Sequence, residues 1–141
     1  MLSFTNKKEP AFVFNIVPGF SLNLYGNEDT YSPTLVKKRL LLWDKKVQMS
    51  PVYSNNPRLY FDYRVVNLND NNVLFLGVVQ NPDVDKVVIN SSDEGVYLEK
   101  KVEDERIFTL ILPSSNDQIF LHPKLFLKNQ TKVEYPYEKT K

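Results

Sequence analysis

Residues 59–79 read LYFDYRVVNLNDNNVLFLGVV. Across residues 59–66 the odd positions are apolar or aromatic, whereas the even positions include Asp62 and Arg64. A strand places successive side chains on opposite faces, so this alternation predicts a half-buried strand. Residues 67–72 are rich in Asn and Asp, which favour turns, and residues 73–79 are apolar throughout, as in a strand that is buried on both faces. The stretch predicts an antiparallel hairpin.

The remainder of the chain repeats this pattern of short apolar runs and polar turns, with a strand about every 8–12 residues. Residues 33–43 also fit a helix that begins at Pro33, but their apolar positions form no helical stripe, and we favour a strand. The sequence thus predicts a single all-β domain over residues 1–141, with residues 1–10 and 138–141 loosely ordered. The predicted architecture is an antiparallel β-sandwich of immunoglobulin-like character, with a small β-barrel as the alternative.

The inward positions of these strands give a predicted core of large apolar side chains. They are Phe12, Phe14, Ile16, Leu59, Phe61, Tyr63, Val73, Phe75, Leu76, Val78, Val88, Phe108, Leu110 and Leu112.

Composition excludes several classes of function. Eighteen basic and seventeen acidic residues leave a net charge of +1, so no overall field attracts nucleic acid, which we do not expect as a partner. The chain has no cysteine, which excludes disulfides and thiolate chemistry. No apolar run approaches the roughly 20 residues of a membrane-spanning helix, and residues 1–10 do not resemble a signal peptide.

Sites for catalysis or metal binding find little support. The only histidine is His122, which precedes Pro123 and is interpreted as a turn or surface residue because nothing near it resembles a nucleophile elbow. Asp83 and Asp85 offer oxygen ligands for calcium, but Lys86 adds a competing charge and the Asn81-Pro-Asp sequence is better explained as a turn. The sequence therefore predicts no catalytic residue, no metal site and no cofactor.

The aromatic residues give the one positive indication of function. A domain of this size cannot bury all of the following side chains with satisfied polar groups: Tyr25, Tyr31, Trp43, Tyr53, Tyr60, Tyr97, Tyr135 and Tyr137. Exposed Tyr and Trp form flat contacts for proteins and sugars. The predicted binding surface consists of Trp43, Tyr60, Asp62 and Arg64, and its expected partner is a protein or a carbohydrate. Basic residues near Trp43 (Lys37, Lys38, Arg39, Lys45 and Lys46) are interpreted as a solvated or edge-protecting set.

Residues 73–89, VLFLGVVQNPDVDKVVI, resemble the central segment of small exported proteins and lipoproteins of Gram-positive bacteria. There, an apolar strand ending in glycine and valine leads into an Asn-Pro-acidic turn and a second strand, and the likeness extends over residues 73–112. The resemblance implies a compact β-sandwich and transfers no functional residues. It also implies an extracellular or envelope location, with a leader upstream of Met1, although the chain lacks the leader and lipid-bearing cysteine of such proteins; the alternative location is the cytoplasm.

Three functions are compatible with these features. The first is a non-enzymatic binding or envelope-associated domain, and it is the one we favour. The second is a hydrolase of sugars that uses carboxylates, with Asp62 as the residue of interest because Tyr60 and Arg64 flank it. The third is a subunit of a homo-oligomer or larger assembly, with Tyr60, Val66, Leu68 and Trp43 forming an exposed apolar patch.

Overall fold

The computed structural model describes residues 9–16, 19–38, 44–69, 72–90, 97–113 and 122–139. All regular secondary structure in this part of the chain is β-strand, which confirms the predicted all-β class. In chain order the twelve strands are β1 (Phe12–Asn15), β2 (Phe20–Asn27), β3 (Thr30–Lys38), β4 (Asp44–Gln48), β5 (Val52–Tyr53), β6 (Phe61–Asn69), β7 (Asn72–Val79), β8 (Val84–Asn90), β9 (Tyr97–Lys101), β10 (Ile107–Pro113), β11 (Lys124–Leu127) and β12 (Lys132–Val133).

The chain divides into two compact units, residues 1–54 and 55–141. The first unit contains one antiparallel sheet in the order β1-β2-β3-β4, with β5 also paired to β3. β2 and β3 form a hairpin whose connecting residues, Glu28 and Asp29, are polar. The expectation of a single domain over residues 1–141 stays a prediction.

One face of the first sheet is strongly apolar. The register pairs Phe14 with Leu22 and Leu22 with Leu35, so these side chains lie on the same side. Leu22 and Leu24 are fully buried, as their i, i+2 spacing requires for a shared face. β3 confirms the strand interpretation of the ambiguous segment as far as Lys38, whereas Trp43 lies outside the described residues.

The second unit is a β-sandwich. One sheet has the order β10-β7-β6 and the other has the order β12-β11-β8-β9. All strand pairs are antiparallel, and none of the described sheets closes into a barrel. The predicted hairpin of residues 59–79 is confirmed as β6 and β7, which pair from Phe61 with Val79 to Asn69 with Asn72.

The core of the second unit lies between its two sheets. Phe61, Phe75 and Phe108 from one sheet meet Ile89 and Leu125 from the other. β7 is buried on both faces, because Leu74, Leu76 and Val78 on its opposite side are also fully buried. This confirms the interpretation of residues 73–79 as a strand that is covered on both sides.

Most of the predicted core is confirmed by burial, and one member is wrong. The confirmed residues, all less than a tenth exposed, are Phe61, Val73, Phe75, Leu76, Val78, Val88, Phe108 and Leu112. Phe12 is 41% exposed because β1 is the outermost strand of its sheet, where neighbours cover a ring from one side only. The partly buried members are Phe14, Ile16, Leu59, Tyr63 and Leu110.

Two other local features bear on the sequence predictions. The Asn81 side chain accepts a hydrogen bond from the Asp83 N–H at 2.7 Å, as in a turn that an Asn side chain initiates. At the other end of the chain, Glu138 forms a backbone bridge with Leu59, and the Lys139 N–H donates to the Arg58 carbonyl. The chain expected to be loose from residue 138 therefore has backbone partners at positions 138 and 139.

Candidate functional site

Four ring side chains form a cluster in the second unit: Tyr63, His122, Tyr135 and Tyr137. His122 and Tyr135 stack in parallel, with ring centroids 3.9 Å apart and an interplanar angle of 6°. The Tyr63 hydroxyl is hydrogen-bonded to His122 Nδ1. Tyr137 stands edge-on to Tyr135 at 5.6 Å and to Tyr63 at 6.2 Å. Each ring therefore contacts at least two others.

The pairing of β11 with β12 brings the distant parts of this cluster together. Its register sets Leu125 opposite Val133, and the same register continued outward brings Tyr135 back beside the start of β11. His122 lies just before β11, so the turn between the two strands determines the stacking. Tyr63 approaches from β6, where it occupies the inner face and stacks on Phe75 at 5.2 Å.

Tyr137 anchors the cluster to the sandwich. Its side chain is 1% exposed, and its hydroxyl donates a 2.7 Å hydrogen bond to the Pro123 carbonyl. Its N–H donates to the Glu134 carbonyl at 2.9 Å, which closes a turn that contains the cis Tyr135–Pro136 peptide. The backbone of Tyr137 is left-handed, with φ of 66°, a conformation that is uncommon for a non-glycine residue.

The buried hydroxyls are held neutral. Burial raises the pKa of Tyr137 above the ordinary value for tyrosine, and the nearby Tyr63 and Tyr135 hydroxyls act in the same direction. Burial also raises the pKa of Tyr63, with further contributions from Tyr135 and the Asp62 carboxylate. Both hydroxyls consequently act as neutral hydrogen-bonding groups at physiological pH.

Tyr135 differs from its neighbours in being 56% exposed. One face of its ring is covered by His122, which is itself exposed. We call this stacked pair the aromatic platform. Glu134, next to it in the sequence, is also exposed. The arrangement is a flat, exposed ring surface that His122 covers on one face.

The predicted surface of Trp43, Tyr60, Asp62 and Arg64 is only partly assembled. Asp62 and Arg64 lie on the same face of β6 and form an ion pair of 2.9 Å. Tyr60 precedes β6 and packs against the core, with Lys139 Nζ 5.6 Å from its ring centroid. Trp43 lies outside the described residues, so the structure assigns it no place in this surface.

The other sequence expectations concern hydrolysis, assembly, metal binding and membranes. Asp62 Oδ1 accepts hydrogen bonds from Arg64 and from the Tyr63 N–H, so this oxygen is engaged within β6. The expected apolar patch is not formed as described, because Leu68 is 8% exposed. Within the described ranges, no cluster of three His, Cys, Asp or Glu residues suits a metal ion. The same residues include no helix long and apolar enough to cross a membrane.

Comparison of the chain with protein-family models, with curated proteins and with solved structures gave no match. The site is therefore argued from its own geometry. Sequence reasoning missed it because the sequence indicates only a turn or surface residue at His122, and Tyr135 is one of several surplus aromatic residues with nothing to connect the two. The shared signal, an aromatic or imidazole ring directly before a proline in His122-Pro123 and Tyr135-Pro136, is too short to identify a site.

Proposed function

We propose that this chain is a non-enzymatic binding protein of the cell envelope, built on an immunoglobulin-like sandwich, which binds carbohydrate on the aromatic platform. The exposed, fixed ring of Tyr135 carries the proposal. The envelope location is supported by the resemblance of residues 73–112 to small exported proteins. A protein ligand is the alternative partner.

The immunoglobulin-like character is supported by the strand order of the second unit. If its seven strands are lettered A to G in chain order, the sheets read E-B-A and G-F-C-D. The constant-type immunoglobulin domain has sheets A-B-E-D and C-F-G. The two arrangements differ only in the fourth strand, because β9 pairs with β8 rather than with β10. Such sandwiches commonly act as recognition modules.

Rigidity of the platform supports binding. The Tyr135 ring stacks on the parallel His122 ring and also contacts the buried Tyr137 ring, whose plane is perpendicular to it. A ligand that docks on it does not have to pay for ordering a mobile side chain, and this ordering is a large part of the free energy lost on association. Exposure of 56% leaves much of the ring for the ligand.

The size and surroundings of the platform favour a sugar over a protein. A sugar ring presents one apolar face of C–H groups that matches a single aromatic ring in area, and its hydroxyls need polar neighbours. Two exposed polar residues, Lys132 and Glu134, precede Tyr135 in the sequence. A protein interface, by contrast, requires a patch of several hundred Å2 per partner.

The substitution Tyr135→Ala tests this proposal. We expect it to weaken carbohydrate binding at least tenfold, about 1.4 kcal/mol, because the stacking surface is removed. Tyr135→Phe is the matched control and should bind within about twofold of the parent, since the ring is kept. Binding is measured by a glycan array followed by NMR titration with the oligosaccharides that bind.

Three outcomes contradict carbohydrate binding on the platform. Unchanged glycan binding by Tyr135→Ala would place the ligand elsewhere on the molecule. Hydrolysis of a glycan by the parent protein, lost on Asp62→Asn, would support the carboxylate enzyme instead. Binding of an envelope protein but of no glycan, with loss on Tyr135→Ala, would keep the platform and assign it a protein ligand.

A further inference from the structure

β6 is the outer of the described strands of its sheet, so its free edge could pair with a strand of another chain. Side chains of β6 itself cover part of this edge. Among the described residues, β6 pairs with β7 on one side and no strand pairs with it on the other. An open edge offers unpaired N–H and C=O groups to any other chain. β6 is nine residues long and carries Val65, which is 47% exposed.

The side chains of Asp62 and Arg64 form hydrogen bonds with the backbone N–H and C=O of Tyr63, the residue between them. Asp62 Oδ1 accepts a hydrogen bond from the Tyr63 N–H at 2.9 Å. Arg64 Nη1 donates to the Tyr63 carbonyl at 2.5 Å and to Asp62 Oδ1 at 2.9 Å. We call this arrangement the edge cap. It uses both polar backbone groups of Tyr63 within one strand.

The direction of these groups follows from strand geometry. The N–H and C=O of one residue point to the same side of a strand, and the side reverses at the next residue. Since the groups of Tyr63 bond to side chains rather than to β7, they face the open edge, and those of Val65 face it too. The edge cap therefore lies where a new strand would dock.

Other features lie at the two ends of β6. Before β6, the backbone of residues 137–139 pairs with residues 58–60 through the Leu59–Glu138 bridge and its flanking hydrogen bonds. Near its end, the register with β7 shifts between Asn67 and Asn69, an irregularity that disturbs further pairing. The edge cap lies between these two ends, at Tyr63.

We infer that the Asp62–Arg64 pair prevents β6 from pairing with β6 of a second copy of this chain. An identical strand is the natural occupant, because antiparallel pairing about a two-fold axis at Val65 places the two exposed valines opposite each other. To dock, the second strand must displace the two hydrogen bonds that the Tyr63 backbone makes with Asp62 and Arg64, which are themselves joined by a partly buried ion pair. This role does not depend on the ligand that the aromatic platform binds.

The double variant Asp62→Ala/Arg64→Ala tests the inference by sedimentation over a concentration series. We expect its self-dissociation constant to fall at least tenfold relative to the parent, since the edge is uncovered while net charge is unchanged. The matched control is Lys86→Ala/Glu99→Ala, which removes an ion pair that joins β8 to β9 across a sheet face. The control should leave self-association unchanged.

A third substitution locates the new contact on β6. Adding Val65→Pro to the double variant should return self-association to the parent level. Proline is tolerated where the N–H of an edge strand faces outward, and it removes the donor that a second strand needs. Association that persists with Pro at this position would place the contact elsewhere and overturn the inference.

Hydrogen exchange on the unaltered protein provides an independent test that needs no variant to fold. The Tyr63 amide should exchange at least tenfold more slowly than the Val65 amide, because the Asp62 carboxylate holds the first and nothing among the described residues holds the second. Equal rates for the two amides would show that the edge cap is not formed in solution. A folded double variant that associates no more strongly than the parent would also refute the inference.

Discussion

Replacing Tyr137 by alanine should lower the free energy of unfolding by about 3–5 kcal/mol, the range for deleting a large buried aromatic side chain. Its ring is 1% exposed and meets Phe61 edge-on at 5.4 Å, and its hydroxyl holds the Pro123 carbonyl. Domains of this size have total stabilities of about 5–15 kcal/mol, so the loss is large. Urea denaturation followed by near-UV circular dichroism measures it.

The matched control for this prediction is Tyr135→Ala in the same turn. Because Tyr135 is 56% exposed, we expect its removal to cost about 1 kcal/mol, the typical value of an aromatic pair. Equal losses for the two variants would contradict the view that Tyr137 anchors the cluster and Tyr135 presents it to ligand.

Tyr137→Phe separates the hydroxyl from the ring and predicts a pH dependence. At pH 7 the variant should lose about 1–3 kcal/mol, because the Pro123 carbonyl is left unsatisfied. Burial raises the pKa of Tyr137 in the folded state, so the stability of the parent protein is full below about pH 10 and falls as the pH rises further. The slope is roughly 1.4 kcal/mol per pH unit for each such group. Tyr137→Phe has no hydroxyl to ionise, so the difference in free energy of unfolding between parent and variant should shrink between pH 10 and 11. A difference that stays constant over this range would show that the pKa of Tyr137 is not raised by folding.

The alternation in residues 59–66 was enough to predict β6, because a sheet with one buried face imposes a period of two on its side chains. The apolar run of residues 73–79 predicted β7 for the same kind of reason, and both of its faces are buried. Local turn chemistry was equally readable, as the Asn81 side chain shows. These strands and this turn are determined by residues that are close together in sequence, so each can be predicted from one short segment.

The aromatic platform depends on contacts that no short segment contains. Tyr63 and His122 are 59 residues apart in sequence, and their meeting requires the two sheets to stack. Tyr137 directly precedes residues 138–141, which the sequence predicts to be loosely ordered, yet its ring is buried against β6 and its hydroxyl donates to the Pro123 carbonyl. Residue composition cannot distinguish a loose tail from one that folds back.

Asp62 and Arg64 show a third case, in which the residues were noticed and their role was not. Their spacing on one strand face suggested a carboxylate flanked by a cation and an aromatic platform. The structure has them bonded to each other and to the Tyr63 backbone. The sequence does not predict that β6 lies at the edge of its sheet. The proposed function of the Asp62–Arg64 pair depends on this edge position.

Gly77→Ala should lower the free energy of unfolding by about 1–3 kcal/mol through overpacking. A Cβ at this position would lie 2.5 Å from Cζ of Phe108 and within about 3 Å of two further ring atoms. The ring cannot move aside readily, because it is 3% exposed and stacks with Phe61 at 6.3 Å and with Phe75 at 6.1 Å. Glycine at position 77 therefore makes room for the aromatic core between the two sheets.

Gly26→Ala is the matched control, since it places the same methyl group in a strand of the first unit. Its Cβ would meet only the Cβ of Ala11 at 3.9 Å, an ordinary contact. We expect no loss there, or a gain of a few tenths of a kcal/mol from the stiffer unfolded chain. Combining Gly77→Ala with Phe108→Ala should give a total loss below the sum of the two single losses, because the ring that causes the clash is gone. Strict additivity in urea denaturation would show that the cost at Gly77 arises from its backbone and not from the Phe108 ring.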